Sequence, residues 1–171
     1  MPRKINVSEV ESYIRDGLRR ALERDLRKMK MVKEGDLQSC AYFHLRRKLA
    51  ADPRWRIVNK GWVKKLSRYP DMILFTDFAP RIAIEFKWNP KRDEIQKKDR
   101  QTLLRSKKKL KLNKTYFIYT ELLPREKRLP TKKSEKYSLL TVPVRLNLPP
   151  KRHELWLGNL SRLWKHIEPR K

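Results

Sequence analysis

The segment from Tyr69 to Asn89, YPDMILFTDFAPRIAIEFKWN, constrains the fold of this chain more than any other stretch. It contains two short runs of apolar and β-branched residues on either side of a turn-forming segment, which predicts a β-hairpin. The strands are predicted at Met72–Phe75 and Arg81–Trp88, joined through Thr76–Pro80. Strands this apolar are typical of a sheet that is buried on both faces.

Charged residues lie at the open end of the predicted hairpin. With the turn centred on Phe78, Asp71 faces Glu85, and directly opposed side chains have Cβ atoms about 4.5–5.5 Å apart. Side chains alternate between the two faces of a strand, so Lys87 shares a face with Glu85. Two opposed carboxylates destabilise a sheet unless a cation lies between them. The expected cation is Mg²⁺ or Mn²⁺, with the carbonyl of Phe86 as a further oxygen ligand.

Lys87 would stand beside such a metal site. Its side chain could hold or deprotonate an attacking water and counter the negative charge that develops on a phosphate. Mg²⁺ typically keeps several waters, which leaves positions for a phosphate oxygen and a nucleophilic water. This cluster of charges therefore indicates hydrolysis of a phosphodiester.

Apolar residues in the rest of the chain recur at helical spacing in four segments and at strand spacing in three. A capping box at Ser8–Glu11 is predicted to begin the first helix, and Pro143 places the last strand at a sheet edge. The predicted elements are, in chain order, a helix from Ser8 to about Met31, a helix from Glu34 or Asp36 to Ala50, strands at Trp55–Val63, Met72–Phe75 and Arg81–Trp88, a helix from about Lys91 to Leu110, strands at Thr115–Thr120 and Leu140–Leu148, and a helix after Pro150.

The order of these elements is α-α-β-β-β-α-β, followed by one further strand and one further helix. A hairpin followed by a helix and another strand predicts an α/β fold with a mixed sheet covered on both faces. The 171 residues are expected to form one domain. Its parts would be an N-terminal amphipathic helix at 1–31, a core at 34–120, and an appended loop, strand and helix at 121–171. The first helix is expected to pack on this domain rather than form a dimer face.

The spacing of the charged residues resembles that of a known superfamily of nucleases. PD, thirteen residues, and then EFK is similar to the motif of the PD-(D/E)xK, or restriction-endonuclease-like, enzymes. The α-β-β-β-α-β order of residues 34–120 is similar to their core. The resemblance implies that Asp71 and Glu85 bind Mg²⁺, that Lys87 serves the attacking water, and that Glu34 from the first core helix completes the site.

The chain departs from this superfamily at two places. The approach to the aspartate is KKLSRYPD rather than rich in Gly, and the helix after the lysine carries Gln96, Asp99 and Gln101 in place of a Gln and Tyr pair. Two acidic residues also have other interpretations. Glu34 would be favourable as a negative charge at a helix N-terminus, and Asp99 would be expected to pair with a neighbouring Lys or Arg.

The net charge of the chain, +26, indicates a polyanionic partner. Nucleic acid, with DNA preferred, is expected because each neutralised phosphate releases condensed counterions. A solvated basic face is the alternative interpretation of these residues. The residues predicted to contact phosphates form two groups, Lys107, Lys108, Lys109 and Lys111 in the first, and Arg125, Lys127, Arg128, Lys132 and Lys133 in the second.

Other classes of protein and site are disfavoured by composition. No apolar run is long enough to span a membrane, and with four Gly residues there is no phosphate-cradling loop. Cys40 is the only cysteine and the first residues lack a signal peptide, so an intracellular protein, cytoplasmic or in the nucleoid or nucleus, is expected. Cys40 and His44 have a spacing compatible with zinc, but a packed helix face is the favoured interpretation.

Three hypotheses of function follow. The first is a Mg²⁺-dependent deoxyribonuclease, an endonuclease that would be a homodimer if it cuts with a pair of sites. The alternative is a non-catalytic nucleic-acid-binding module of the same fold, as a subunit of a larger assembly. A third is an RNA-binding protein of unrelated α/β fold, in which Asp71 and Glu85 would be incidental.

Overall fold

The computed structural model describes residues 3–59, 70–88, 97–122 and 140–167. Its helices and strands follow one another in the predicted order, which confirms an α/β protein. The elements are α1 Val7–Ser12, a π-helical segment Tyr13–Leu18, α2 Arg19–Arg27, α3 Glu34–Leu49, β1 Trp55–Asn59, β2 Met72–Thr76, β3 Ala79–Lys87, α4 Lys97–Leu110, β4 Lys114–Glu121, β5 Leu140–Arg145 and α5 Pro150–Ile167.

The five strands form one open sheet in the order β1-β2-β3-β4-β5. β2 is antiparallel to both β1 and β3, whereas β4 is parallel to both β3 and β5. The predicted mixed sheet is therefore confirmed. β5 lies at an edge, as expected for a strand that contains Pro143, since proline has no N–H for a second ladder.

The hairpin of β2 and β3 has the predicted register only in its open half. Ile73 faces Ala83 as predicted, but Phe75 faces Pro80 rather than Arg81. The turn contains only two residues, and a register shift between Leu74 and Phe75 then takes up one extra residue in β3. Such a bulge lets a two-residue turn coexist with the predicted register further along. β3 therefore begins at Ala79, earlier than predicted.

The first helical region differs from the prediction at both ends. The side chain of Asn6 accepts a hydrogen bond from the backbone N–H of Glu9, so Asn6 is the N-cap and the predicted capping box at Ser8 is wrong. α2 ends at Arg27, before the predicted Met31. Trp156 of α5 donates an indole hydrogen bond of 3.1 Å to the carbonyl of Leu26. This contact confirms that the region packs on its own chain.

Helices cover both faces of the sheet, as predicted. The larger core lies between one face and helices α1, α2, α3 and α5, and it includes the predicted stripe of α3, Leu37, Ala41, Leu45 and Leu49. The smaller core lies between the other face and α4, where Leu103 packs with Ala83 and Phe117. Because side chains alternate along β3, Glu85 and Lys87 share the α4 face with Ala83.

Several predicted boundaries fall outside the described residues. The predicted continuation of β1 to Val63, the start of α4 at Lys91 and most of the loop at Glu121–Lys136 belong to these parts of the chain. β5 ends at Arg145 rather than at the predicted Leu148. No helix in the described ranges is long and apolar enough to cross a membrane.

Candidate functional site

Asp71 and Glu85 lie next to each other at the open end of the β2–β3 hairpin. The backbone N–H of Asp71 donates a 3.3 Å hydrogen bond to Oε2 of Glu85. Oδ2 of Asp71 in turn accepts a 2.9 Å hydrogen bond from the backbone N–H of Phe86. Both carboxylates are half-buried. The structure therefore brings together the first two residues that the sequence singled out.

Lys87 shares a face of β3 with Glu85 and contacts the first residue of α3 and the first turn of α4. Its Nζ is 3.8 Å from Oε2 of Glu34, at the start of α3, and 4.0 Å from Oδ2 of Asp99, in the first turn of α4. One third of the Lys87 side chain is exposed. The ammonium group is thus held by two acidic residues and still reaches solvent.

Glu34 reaches the site because it is the first residue of α3. Leu37 is buried one turn later on the same side of the helix, which directs Glu34 towards the end of β3. Its Oε2 also accepts a 3.4 Å hydrogen bond from the backbone N–H of Trp88. The positive end of the helix dipole favours a carboxylate at this position. Both interpretations of Glu34 therefore agree with its place in the structure.

Asp99 is a member of the cluster that sequence reasoning did not assign to the site. Its side chain is only 15% exposed, and its buried Oδ2 accepts no hydrogen bond from any described residue. The predicted pairing with a basic residue is present, with Lys87 as the partner. Its spacing of four residues from Leu103 is the sequence signal that indicates the inner face of α4.

Burial and negative neighbours raise the pKa of Glu85 to about 8. Burial is the largest cause, followed by the charges of Asp71 and Asp99, with a smaller effect of Glu34. The hydrogen bond from the backbone of Asp71 opposes these effects. Close carboxylates disfavour each other's ionisation, so this group of residues would be stabilised by an added cation.

The donor atoms at the open end of the hairpin fit a hard divalent cation. Asp71 and Glu85 supply carboxylate oxygens, and Mg²⁺ is typically held by one or two carboxylates together with waters. Within one extended residue N–H and C=O point to the same side of a strand, so the carbonyl of Phe86 faces the side of Asp71. Among the described residues no three Asp, Glu, His or Cys side chains are placed to share one ion. A site here would therefore depend on two carboxylates and this carbonyl.

The lysines predicted to contact phosphates lie at the other end of the sheet. α4 runs antiparallel to β3, and the backbone N–H of Asn113, just after α4, bonds to the carbonyl of Arg81. At about 1.5 Å per helical residue, Lys111 lies about 18 Å from Asp99 along this axis. The structure therefore does not bring Lys107, Lys108, Lys109 and Lys111 to the carboxylates. Arg125, Lys127, Arg128, Lys132 and Lys133 lie outside the described residues.

Cys40 and His44 are arranged as a packed helix face rather than as zinc ligands. Nε2 of His44 is 2.6 Å from Oδ2 of Asp25, and Nζ of Lys30 is 3.5 Å from Oδ1 of the same carboxylate. Burial, reinforced by Asp25 and Asp36, raises the pKa of the Cys40 thiol to about 11.

No protein-family model matches the chain, and no curated protein matches it either. The chemistry of the site is therefore inferred from its own geometry.

Proposed function

We propose that this protein is a metal-dependent nuclease that hydrolyses phosphodiester bonds in DNA. The observation that supports this proposal is the convergence of Asp71, Glu85 and Lys87 at the open end of one hairpin. Asp71 accepts a 2.9 Å hydrogen bond from the Phe86 N–H and donates one to Glu85, and Lys87 lies two residues further along the same face of β3, 3.8 Å from Glu34. A pair of acids near a lysine that reaches solvent is suited to phosphodiester hydrolysis.

Asp71, Glu85 and the carbonyl of Phe86 would hold Mg²⁺ or Mn²⁺. When bound, this ion would supply Lewis acidity to a phosphoryl oxygen and to water. The burial of Glu85 and its three acidic neighbours support a cation at this position, because each negative charge otherwise opposes the ionisation of the next. A cation would also release the proton that Glu85 tends to retain.

Lys87 would act on the attacking water and on the phosphate. Its ammonium group lies near Glu34 and Asp99, on the face of the sheet that Lys87 shares with Glu85. Next to these two residues, an ammonium group could orient the water and stabilise the charge of the transition state, as preorganised cations do in phosphoryl transfer. Glu34 positions Lys87 in this scheme.

The charge of the chain supports nucleic acid as the substrate. A net charge of +26 attracts a polyanion at long range. The α-β-β-β-α-β order with a mixed sheet is consistent with the resemblance to restriction-endonuclease-like enzymes. A pair of sites that cut both strands of a duplex would require a homodimer, which is part of the proposal.

A cleavage assay tests this function directly. Labelled duplex, four-way junction, flap and single-stranded DNA are incubated with Mg²⁺ or Mn²⁺, with EDTA as the metal-free control. Asp71→Ala is compared with the control Asp16→Ala, which removes an exposed carboxylate from the first helical region, distant from Asp71 in the sequence. Cleavage that needs both the metal and Asp71 supports the proposal, whereas cleavage that survives EDTA or Asp71→Ala rejects it.

A second candidate function, a non-catalytic nucleic-acid-binding module, is favoured by a different observation. Asp71 and Glu85 each accept a main-chain hydrogen bond, and these bonds can hold the end of the hairpin without a metal. Such a module would bind DNA with steep salt dependence and cut none of the substrates in the assay.

A further inference from the structure

The tip of the β2–β3 hairpin carries an exposed aromatic residue in a strained backbone conformation. Asp77 and Phe78 form the turn, and their φ angles are +49° and +61°. Two-residue hairpin turns of this kind favour Asn-Gly or Asp-Gly, because a side chain at positive φ is disfavoured. Phe78 is also 77% exposed. A large residue that is strained and outside the core indicates a role in binding rather than in packing.

One arginine lies over this aromatic ring, and a second lies beside its neighbour Asp77. The guanidinium carbon of Arg56 lies 4.5 Å from the centre of the Phe78 ring. Arg54 is held by Asp52, with Nη2 2.6 Å from Oδ2, and its Nη1 is 3.7 Å from Oδ2 of Asp77. The ring and both guanidinium groups are therefore positioned without a ligand.

These residues line an open cavity of about 240 Å³. Its walls are Pro53, Arg54, Arg56, Asp77 and Phe78. One water needs about 10–15 Å³ of such a cavity, so there is room for a small planar ligand. A nucleobase is a ligand of this kind.

The chemistry of the cavity also suits a nucleobase. Aromatic rings and arginine planes are the surfaces on which unpaired bases stack. The carboxylate of Asp77, 58% exposed, can accept a hydrogen bond from an exocyclic amino group. Arg54 and Arg56 can donate to a base oxygen or to the adjoining phosphate.

We propose that the hairpin tip binds an unpaired nucleobase of the nucleic acid on which the protein acts. The choice of nucleic acid over an acidic partner protein rests on the proposed function and on the charge of +26. With about 3.3 Å per strand residue, the tip lies about 20 Å from Asp71. The exposed lysines Lys108, Lys109 and Lys111 lie at the same end of the sheet as the tip. Nucleic acid could therefore contact the lysines and the tip together.

Binding of 2-aminopurine-labelled DNA to the full-length protein in EDTA tests this inference without cleavage. In one probe the 2-aminopurine is an unpaired residue at the end of a duplex, and in the control probe the same base is paired within a blunt duplex. Stacking on Phe78 is expected to quench the fluorescence of the unpaired base only. Phe78→Gly is expected to weaken binding of the unpaired probe by about 5- to 150-fold and to leave the blunt duplex unaffected.

The variants separate binding from folding. Phe78→Gly removes a side chain from a residue at positive φ, so its melting temperature is expected to equal or exceed that of the original protein. Phe78→Trp keeps a stacking surface and is expected to retain tight binding. The inference would be overturned if Phe78→Gly bound the unpaired probe as tightly as the original protein does. It would also be overturned if Phe78→Gly lost affinity for both probes by the same factor.

The proposed nuclease activity is measured separately on the same samples with Mg²⁺. Quenching that depends on Phe78 in a protein that cuts nothing would support the nucleobase site and reject the nuclease. If the protein cuts DNA but Phe78→Gly binds the unpaired probe as tightly as the original protein, the nucleobase site is rejected and the nuclease is supported.

Discussion

The backbone N–H of Phe86 donates a 2.9 Å hydrogen bond to Oδ2 of Asp71. This bond continues the β2–β3 ladder past its last residue pair, Met72 with Ile84, through a side chain instead of the main chain. Because Asp71 precedes β2, its carboxylate takes the place that a further strand residue would fill. The same geometry directs Asp71 towards Glu85 and links the end of the sheet to the candidate site.

Replacing Asp71 with Asn should separate catalysis from folding. The Asn side chain keeps an oxygen that can accept the Phe86 hydrogen bond, so thermal stability is expected to change little. It loses the negative charge proposed to bind the metal, and we expect cleavage to fall by about 100- to 1,000-fold, the range typical of a lost transition-state contact. Cleavage rates and melting curves check this, with Asp16→Asn as the control. Unchanged cleavage in Asp71→Asn would contradict the proposed role.

Glu85 should make the stability of the protein depend on pH. Its pKa is about 8 in the folded protein, above its ordinary value of 4.5, so the folded state retains a proton that the unfolded state has released. Glu85 therefore contributes fully to the free energy of unfolding below about pH 4.5. This contribution is lost as the pH rises towards 8, by up to about 1.4 kcal/mol for each pH unit. The free energy of unfolding measured in urea should decline across this pH range, and Glu85→Gln should make the decline smaller. Glu154→Gln, an exposed control, should retain the full decline.

The open half of the hairpin register could be predicted from the two apolar runs and a turn centred on Phe78. Its turn could not, since Asp77 and Phe78 adopt positive φ without a Gly in the pair, and the bulge that follows depends on that turn. The end of α2 was missed for a similar reason. Met29, with φ of +54°, stops the helix although its side chain fits the helical spacing.

The candidate site was predictable where its residues share one hairpin. Asp71, Glu85 and Lys87 follow from register and side-chain alternation alone. Asp99 could not be assigned, because its contact with Lys87 depends on how α4 packs against β3. Local spacing reports the inner face of a helix but not the residue that faces it across the core.

Divalent metal should stabilise the protein more at high pH than at low pH. A proton on Glu85 competes with the metal, so binding is expected to strengthen as the pH rises towards 8. Mg²⁺ at about 100 times its dissociation constant adds about 2.7 kcal/mol to the free energy of unfolding. Melting temperatures with and without Mg²⁺ at two pH values measure the effect. A shift of equal size in Asp71→Asn would show that the ion binds elsewhere.

Replacing Lys87 with Ala should abolish cleavage while leaving DNA affinity largely intact. The ammonium group is held by Glu34 and Asp99 beside the carboxylates, where it can act on water and the reacting phosphate but covers little of a binding surface. We expect the cleavage rate to fall by about 100-fold or more. Single-turnover cleavage and binding in EDTA measure the two quantities separately.

Lys28→Ala, which removes an exposed lysine of another part of the chain, controls for the loss of one positive charge. Both variants should show the same small reduction in affinity, since each loses one unit of the long-range attraction between protein and DNA. Only Lys87→Ala should lose cleavage. If Lys87→Ala loses affinity and cleavage by the same factor, Lys87 binds the substrate in its ground state and does not assist the attacking water.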